Sequence, residues 1–135
     1  MTAWQGDLTV VHVRAGRALG IAQVSQDARG VLARRLAGDS LTYYSPTERR
    51  GDINPLRAFT AIAILADGGI WQANEGVFRP YRCHANYLVT ISISLEEVRA
   101  DLHLTSEPNW GYQLHRGLIP LAPVDADLLR ERIIR

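Results

Sequence analysis

DSLTYYS, residues 39–45, is rich in the threonine and tyrosine that β-strands favour, and a polar loop, residues 46–55, follows it. Further along, RAFTAIAIL (57–65) and IWQA (70–73) flank Ala66-Asp67-Gly68-Gly69, a turn sequence typical of a β-hairpin. We therefore expect these three apolar or aromatic stretches to be strands of one curved sheet.

Upstream of this region, residues 4–13 indicate a strand followed by a helical turn. A short helix is predicted near residues 29–37, because its apolar residues share one face and Gly38 can take the positive φ that ends a helix. Downstream, residues 79–91 are predicted to be extended, with Pro80 near their start. The N-terminal half thus mixes strands and short helices.

The C-terminal third begins with Ser94-Leu95-Glu96-Glu97, the pattern of a capping box, which predicts a helix near residues 95–102. Residues 112–121 are predicted to be another strand of the curved sheet. Asp125 is expected to cap a last helix. With about six strands and three or four helices in irregular order, the chain is predicted to be α+β, with a barrel-like sheet. Residues 1–135 fit a single domain.

Composition excludes several classes of protein. Cys83 is the only cysteine, so the chain has no internal disulfide or cysteine-rich zinc site, and its histidines lack the spacing of a metal centre. We therefore expect no metal and no cofactor. The N-terminus has no signal-peptide pattern and no apolar run is long enough to cross a bilayer, so we expect a cytoplasmic protein without membrane contact.

Catalytic signatures are missing as well. All 15 basic residues are arginine, which excludes a P-loop lysine, a lysine Schiff base and a lysine general base. The sequence contains no GxSxG, GxGxxG or HExxH motif. Glu96-Glu97 is better explained as a helix start than as a carboxylate pair, and Cys83 and His84 would point to opposite faces of a strand. We expect a protein that is not an enzyme.

Charge is distributed unevenly along the chain. The formal net charge is +1, yet residues 8–82 carry ten arginines against six acidic residues, whereas residues 83–135 carry five against seven. A mildly basic first part is compatible with phosphate contacts, and a solvated surface of mixed charge explains it equally well.

Six ordered segments of the sequence resemble the stand-alone bacterial branch of the EVE family. They are Trp4 eight residues before His12-Val13, Gly20-Ile21-Ala22-Gln23-Val24, Gly38-Asp39 with Tyr43-Tyr44-Ser45-Pro46, Ala58-Phe59-Thr60-Ala61-Ile62, Phe78-x-Pro80-Tyr81-Arg82, and Asn109-Trp110-Gly111 with Arg116-Gly117. The resemblance implies a PUA-like fold, in which a bent mixed sheet forms a small barrel flanked by short helices.

The same resemblance implies a function. The PUA-like superfamily includes the YTH readers of methylated adenine, and EVE proteins are linked to modified bases, cytosine especially. The main hypothesis is a non-catalytic reader of a modified base, with modified cytosine in DNA favoured as the partner. The alternatives are an RNA-binding PUA-like module, a binder of small molecules or modified nucleosides, and a hydrolase of the ASCH type, which depends on a lysine that this chain lacks.

A base reader needs flat side chains that stack on the base and a few polar groups for its edge. Within the matching segments, the aromatic candidates are Trp4, Tyr43, Tyr44 and Trp110, the polar candidates are Thr9, Gln23 and Ser45, and the candidates for phosphate contact or pocket ordering are Arg82 and Arg116. We expect one pocket with Trp4 or Trp110 and one of the two tyrosines as its walls, and with Thr9 or Gln23 as a hydrogen-bonding group. Trp110 is expected in a loop, and Trp71 in the core.

Overall fold

The computed structural model describes residues 2–24, 32–34, 37–77 and 79–134. The strands within these ranges are β1 (Ala3–Asp7), β2 (Ile21–Val24), β3 (Ser40–Ser45), β4 (Ala58–Leu65), β5 (Trp71–Gln72), β6 (Tyr81–Tyr87), β7 (Ile93–Ser94) and β8 (Leu118–Leu121). The helices are α1 (Val10–Leu19), α2 (Leu95–Val98), α3 (Trp110–Gln113) and α4 (Pro123–Ile133), with a 3₁₀ turn at Leu104–Ser106. Most of the helix predicted near residues 29–37, and Phe78 of the family-like segment, lie outside the described residues.

One mixed sheet organises the fold. Its main path runs β2-β6-β4-β3-β1-β8, with β5 paired to β6 and β7 paired to β4. The β1–β3 pair is parallel, whereas the other strand pairs are antiparallel. A register shift between Tyr43 and Tyr44, opposite β4, bends the sheet at this point. The prediction of an α+β fold with a curled mixed sheet and short helices is confirmed.

The side chains of the sheet are divided between two buried clusters. The first contains Trp4, Leu41 and Tyr43, and the second contains Tyr44 together with Leu129 of α4. Alternate residues of a strand point to opposite faces, so the sheet separates the two clusters. As a result, residues that are neighbours in sequence face different environments.

The boundaries of the C-terminal elements correct three predictions. Residues 112–121 are not one strand, because α3 ends at Gln113 and a turn with Gly117 at φ 88° precedes β8. The helix predicted over 95–102 has the expected Ser94 cap, whose Oγ accepts from the Glu97 amide, but it ends at Val98. Asp125 does not cap α4, which begins at Pro123; its carboxylate accepts from the amides of His103 and Leu104 instead.

Candidate functional site

Tyr44 and Trp110 line a cavity of about 240 Å³, which we call the Tyr44–Trp110 cavity. Tyr44 comes from β3 and Trp110 is the first residue of α3. The other lining residues are Arg57, Leu95, Glu96, Arg99, Gly111, Leu114 and His115. The cavity therefore combines two aromatic rings with four ionisable side chains.

The two aromatic rings have different surroundings. Tyr44 is only 2% exposed and packs edge-on against Phe59, with ring centroids 5.5 Å apart, and against His115, at 6.1 Å. Trp110 is partly exposed, and the guanidinium carbon of Arg99 lies 4.6 Å from its ring centroid. Trp110 can thus accept a planar group on its face, whereas Tyr44 offers mainly an edge.

A half-buried carboxylate, Asp7, lies beside Tyr44 on the neighbouring strand and close to His115. Asp7 accepts a hydrogen bond from the Gly117 amide at 2.8 Å, and its second oxygen is 4.0 Å from Nδ1 of His115. Burial raises the pKa of Asp7 above its ordinary value, and the Gly117 amide and His115 oppose this shift. Burial also raises the pKa of Tyr44, against the effect of nearby Arg57. The Asp7–Gly117 pair ties β1 to the turn that carries His115.

Two residues with a positive φ adjoin the cavity. Among the described residues, Arg57 (φ 51°) and Asn109 (φ 60°) are the only non-glycine residues in this region of backbone space. Arg57 lines the cavity and Asn109 immediately precedes Trp110. A non-glycine residue held at positive φ raises the free energy of the folded state by about 1 kcal/mol or more. Residues of this kind concentrate at functional sites. The strain therefore distinguishes this cavity from the rest of the described structure.

Backbone hydrogen bonds hold Arg57 in this conformation. Its amide donates to the Pro46 carbonyl at 3.2 Å, and its carbonyl accepts from the Leu95 amide at 2.8 Å. The carbonyl of Asn109 accepts from the Gln113 amide at 3.1 Å, which closes the single turn of α3. The cavity wall is consequently fixed by the backbone on both sides.

A second group of predicted residues is joined by hydrogen bonds around Gln23. The Gln23 amide group donates to the His12 carbonyl at 3.1 Å and its oxygen accepts from Arg82 Nε at 2.8 Å. The Tyr43 hydroxyl lies 2.9 Å from the backbone nitrogen of Gln23 and 2.9 Å from its backbone carbonyl oxygen. Thr9 Oγ1 lies 2.9 Å from His12 Nδ1. This Gln23 network links β2, β3, β6 and α1.

The structure thus divides the residues that we predicted to form one pocket. Tyr44 and Trp110 line the cavity, and Thr9, Gln23, Tyr43 and Arg82 lie in or beside the Gln23 network, away from the cavity lining. The Tyr44–Trp110 cavity has a predicted tryptophan and a predicted tyrosine in its walls, but neither Thr9 nor Gln23 lines it. The reason is strand alternation, which directs Tyr43 and Tyr44 into different clusters.

Each of the remaining predicted residues has a side-chain hydrogen-bond partner. Trp4 is buried, and its Nε1 donates to Asp39 at 3.1 Å. Ser45 is buried, with its hydroxyl 2.8 Å from that of Thr60. Arg116 is exposed and donates to Gln113 at 3.0 Å.

Both remaining tryptophans depart from expectation. Trp110 lies in a short helix instead of a loop, and Trp71 is 38% exposed instead of buried in the core. Trp71 belongs to the two-residue strand β5 at the side of β6, where its ring centroid lies 5.1 Å from that of His84.

Sequence reasoning missed Asp7, Arg57 and Arg99 as components of the site. Arg57 follows a polar loop and Arg99 ends a short helix, positions at which arginine is ordinary on a protein surface. The signal that identifies Arg57 is its backbone conformation, which no sequence pattern at this position discloses.

Within the described ranges, no group of three or more histidine, cysteine, aspartate or glutamate residues is arranged to hold a metal ion. The helices described there are all too short or too polar to span a membrane.

Several solved structures share this fold over nearly the whole chain. A crystal structure from Pseudomonas putida has a TM-score of 0.62 at 14% identity, covering 96% of this chain and 97% of that one. A hypothetical protein from Leishmania major has a TM-score of 0.64 at 10% identity, with 97% and 94% covered. The Pho92 YTH domain, solved in complex with m6A, has a TM-score of 0.59 at 10% identity, with 96% and 82% covered. The fold is that of the YTH and PUA-like domains.

Relatives are evident at the level of sequence, although no protein-family model matches the chain. A UPF0310 protein of Renibacterium salmoninarum is 39% identical over 130 residues, which cover 96% of this chain and 94% of that protein. The UPF0310 protein YdcG of Bacillus subtilis is 32% identical over 124 residues, covering 90% and 85%. The chain therefore belongs to the UPF0310 family.

Proposed function

We propose that this protein is an EVE-type reader of a modified base in cytoplasmic nucleic acid, and that it binds the base without turnover. The observation that carries the proposal is the shared fold with a YTH domain that was solved in complex with m6A. The EVE-like segments add a preference for modified cytosine in DNA. The proposed receptor for the base is the Tyr44–Trp110 cavity.

The size of the cavity supports a single base as its occupant. Its volume of about 240 Å³ is below the roughly 300–1,000 Å³ of pockets that hold drug-sized ligands. A base enclosed in such a cavity cannot remain stacked in a helix, so it must come from a single strand or be extruded from a duplex. The cavity is therefore suited to one nucleotide of a longer chain.

The chemistry of the lining also supports this assignment. Trp110 offers a ring face on which a base can stack, in the place where the Arg99 guanidinium now lies. The Tyr44 hydroxyl, His115 and Glu96 provide donors and acceptors for a base edge, and Arg57 and Arg99 provide cations for the adjoining phosphates. Stacking of one base on an aromatic side chain contributes about 1–3 kcal/mol.

The test compares Trp110→Ala with Trp110→Phe and the parent in titrations of modified and unmodified DNA and RNA oligonucleotides. Loss of stacking should weaken binding of the preferred modified oligonucleotide by roughly 5- to 150-fold in the alanine variant. Trp110→Phe, which keeps a ring, should retain most of the affinity. If the alanine variant binds every oligonucleotide as the parent does, the base does not bind in this cavity.

Binding without turnover has its own test. Incubation of the parent with methylated nucleosides and oligonucleotides, followed by chromatography, should yield no product. Hydrolysis that increases with protein concentration would instead favour the nucleoside hydrolase. An RNA-binding module is the closer alternative, because the chain shares the fold of a YTH domain and PUA-like domains often bind structured RNA. The DNA and RNA arms of the titration distinguish the two.

A further inference from the structure

We infer that the loop Pro46–Arg57, here called the arginine loop, docks on duplex DNA beside the Tyr44–Trp110 cavity. In this arrangement Ile53 enters the base stack where a base has been extruded, and Arg49 and Arg50 contact the neighbouring phosphates. The inference rests on the proposed function and adds the form of its partner, a duplex as opposed to a single strand.

The loop is ordered by hydrogen bonds of its own. The amides of Leu56 and Arg57 both donate to the Pro46 carbonyl, at 2.7 and 3.2 Å, and so close the neck of the loop. Nearer the tip, the Arg49 amide donates to the Asp52 carboxylate at 3.0 Å. A loop fixed in this way loses little conformational entropy when it binds, which favours a role in recognition.

The tip of this ordered loop presents apolar side chains to solvent. Ile53 is 94% exposed and Leu56 is 40% exposed, with Pro55 between them. A single exposed isoleucine is ordinary on a protein surface. Here it stands on a hydrogen-bonded loop with arginines on both sides, and isoleucine, leucine and proline are residues that proteins insert between base steps. The apolar residues at the tip are therefore of the types that can insert between neighbouring base pairs.

The charges of the loop are available for phosphate. Arg49 and Arg50 are exposed, and no carboxylate among the described residues lies within ion-pair distance of either guanidinium. The loop's own acidic side chains have other partners: Glu48 pairs with Arg14 at 3.1 Å, and Asp52 accepts from the Arg49 backbone. Two unopposed arginines near an apolar tip match the alternation of phosphates and bases in a duplex.

The loop and the cavity share one residue, which sets their spacing. Arg57 is the last residue of the loop and also lines the cavity. Ile53 is four residues away, so the chain places it at most about 14 Å from Arg57. This upper limit is comparable to the ~12 Å width of the major groove of B-DNA. A base in the cavity and a wedge in the stack are therefore within reach of one another.

The experiment compares Ile53→Ala, Ile53→Phe and the parent. Val77→Ala is the matched control, because Val77 is 97% exposed on a different turn. The probes are duplex DNAs with one 5-methylcytosine, one N6-methyladenine or no modification, and the corresponding single strands. A 2-aminopurine beside the modified base reports unstacking by its fluorescence.

We expect Ile53→Ala to weaken binding of the preferred duplex by about tenfold, to reduce the 2-aminopurine signal and to leave single-strand binding unchanged. Ile53→Phe should restore duplex binding, and Val77→Ala should behave as the parent does. If Ile53→Ala loses affinity equally for the duplex and the single strand, or loses none for the duplex, the inference is overturned.

The failure of this inference can be distinguished from failure of the proposed function. A parent protein that binds modified single strands, DNA or RNA, but no duplex overturns the arginine-loop inference and leaves the base reader intact. A parent that binds neither form, or that is indifferent to Trp110→Ala, overturns the base reader in this cavity.

Discussion

At the scale of single residues, the pair Tyr43-Tyr44 illustrates how position decides role. Tyr43 is fully buried and its hydroxyl is bound to the backbone of Gln23, whereas Tyr44, one residue along, lines the cavity. The residue pattern identified both tyrosines as candidates but could not tell which of them faces a cavity. The bulge between them and the packing of the two clusters settle that, and both arise from contacts distant in sequence.

Asp7 gives a prediction about pH. Its pKa is raised above the ordinary value of 3.8, mainly by burial, so the native state holds the Asp7 proton more tightly than the unfolded chain does. The contribution of Asp7 to stability is therefore fully present at pH values below its unfolded pKa and is lost as pH rises through its native pKa. Asp7→Asn cannot ionise but keeps an oxygen for the Gly117 amide. It should be more stable than the parent at neutral pH.

Denaturant titrations between about pH 3 and 7 measure this effect as the difference in free energy of unfolding between the variant and the parent. We expect the difference to grow in favour of Asp7→Asn as pH rises. Asp67→Asn, at an exposed carboxylate, serves as the control. Parallel curves for Asp7→Asn and the parent would show that Asp7 is not destabilised by its burial.

Asn109 gives a prediction about strain. Its φ of 60° is easily adopted by glycine and by asparagine but disfavours alanine, and its side chain makes no capping hydrogen bond to α3. Asn109→Ala should therefore lower the free energy of unfolding by about 1 kcal/mol, while Asn109→Gly should change it little. Thermal or denaturant unfolding of the two variants tests this. Equal stability of the two would mean that the turn relaxes out of the left-handed region.

At the scale of elements, the sequence patterns predicted the strands correctly where the local residue preferences and the burial of the segment favour the same structure. The strands predicted at 39–45, 57–65 and 70–73 correspond to β3, β4 and β5, because β-favouring residues, turn residues and the pairing of neighbouring strands all favour the same structure. The strand predicted over residues 112–121 was wrong for a specific reason. Leu114 packs into the second cluster from the end of α3, so tertiary burial overrides the strand-like composition.

Asp125 shows a second limit of sequence reasoning at this scale. Aspartate is a residue type that commonly caps helices, but α4 already begins at Pro123, two residues before Asp125. The Asp125 carboxylate accepts from the amides of His103 and Leu104, at 2.7 and 2.8 Å. That partner is more than twenty residues away, and no local pattern identifies it. The cavity was beyond prediction for the same reason, since its lining comes from β3, α2, α3 and the arginine loop.

Two glycines give a matched prediction at this scale. A Cβ on Gly16 of α1 would lie 2.9 Å from the Ile21 carbonyl oxygen and 3.0 Å from the Tyr87 hydroxyl, whereas a Cβ on Gly111 of α3 meets nothing within 4 Å. Gly16→Ala should lower the free energy of unfolding by about 1–3 kcal/mol through overpacking, despite the helix propensity of alanine. Gly111→Ala should leave it unchanged or raise it by up to about 1 kcal/mol. Denaturant unfolding compares them, and stabilisation by both would mean that α1 can move away from β2.

At the scale of the whole molecule, charge is nearly balanced. The net charge is +1, so long-range attraction to nucleic acid is weak and affinity must come from local contacts. The proposed contacts are Arg49, Arg50 and Arg57, where the cavity and the arginine loop meet, and Arg99 beside Trp110. A protein of this kind should discriminate between modified and unmodified sites more by the cavity than by its overall field.

The dependence of binding on salt tests this distribution of charge. Each phosphate that is neutralised contributes about −0.9 to the slope of log K against log salt concentration in duplex DNA. If Arg49, Arg50, Arg57 and Arg99 each neutralise one phosphate, the parent should have a slope of about −3.6 on its preferred duplex. Arg50→Gln should reduce the magnitude by about 0.9, because one contact is lost while the cavity remains. Arg130→Gln changes the net charge equally, but Arg130 lies on α4, away from the cavity lining, and should leave the slope unchanged. Equal reductions in both variants would mean that the protein responds to the duplex through its total charge, and that the arginine loop makes no phosphate contact of its own.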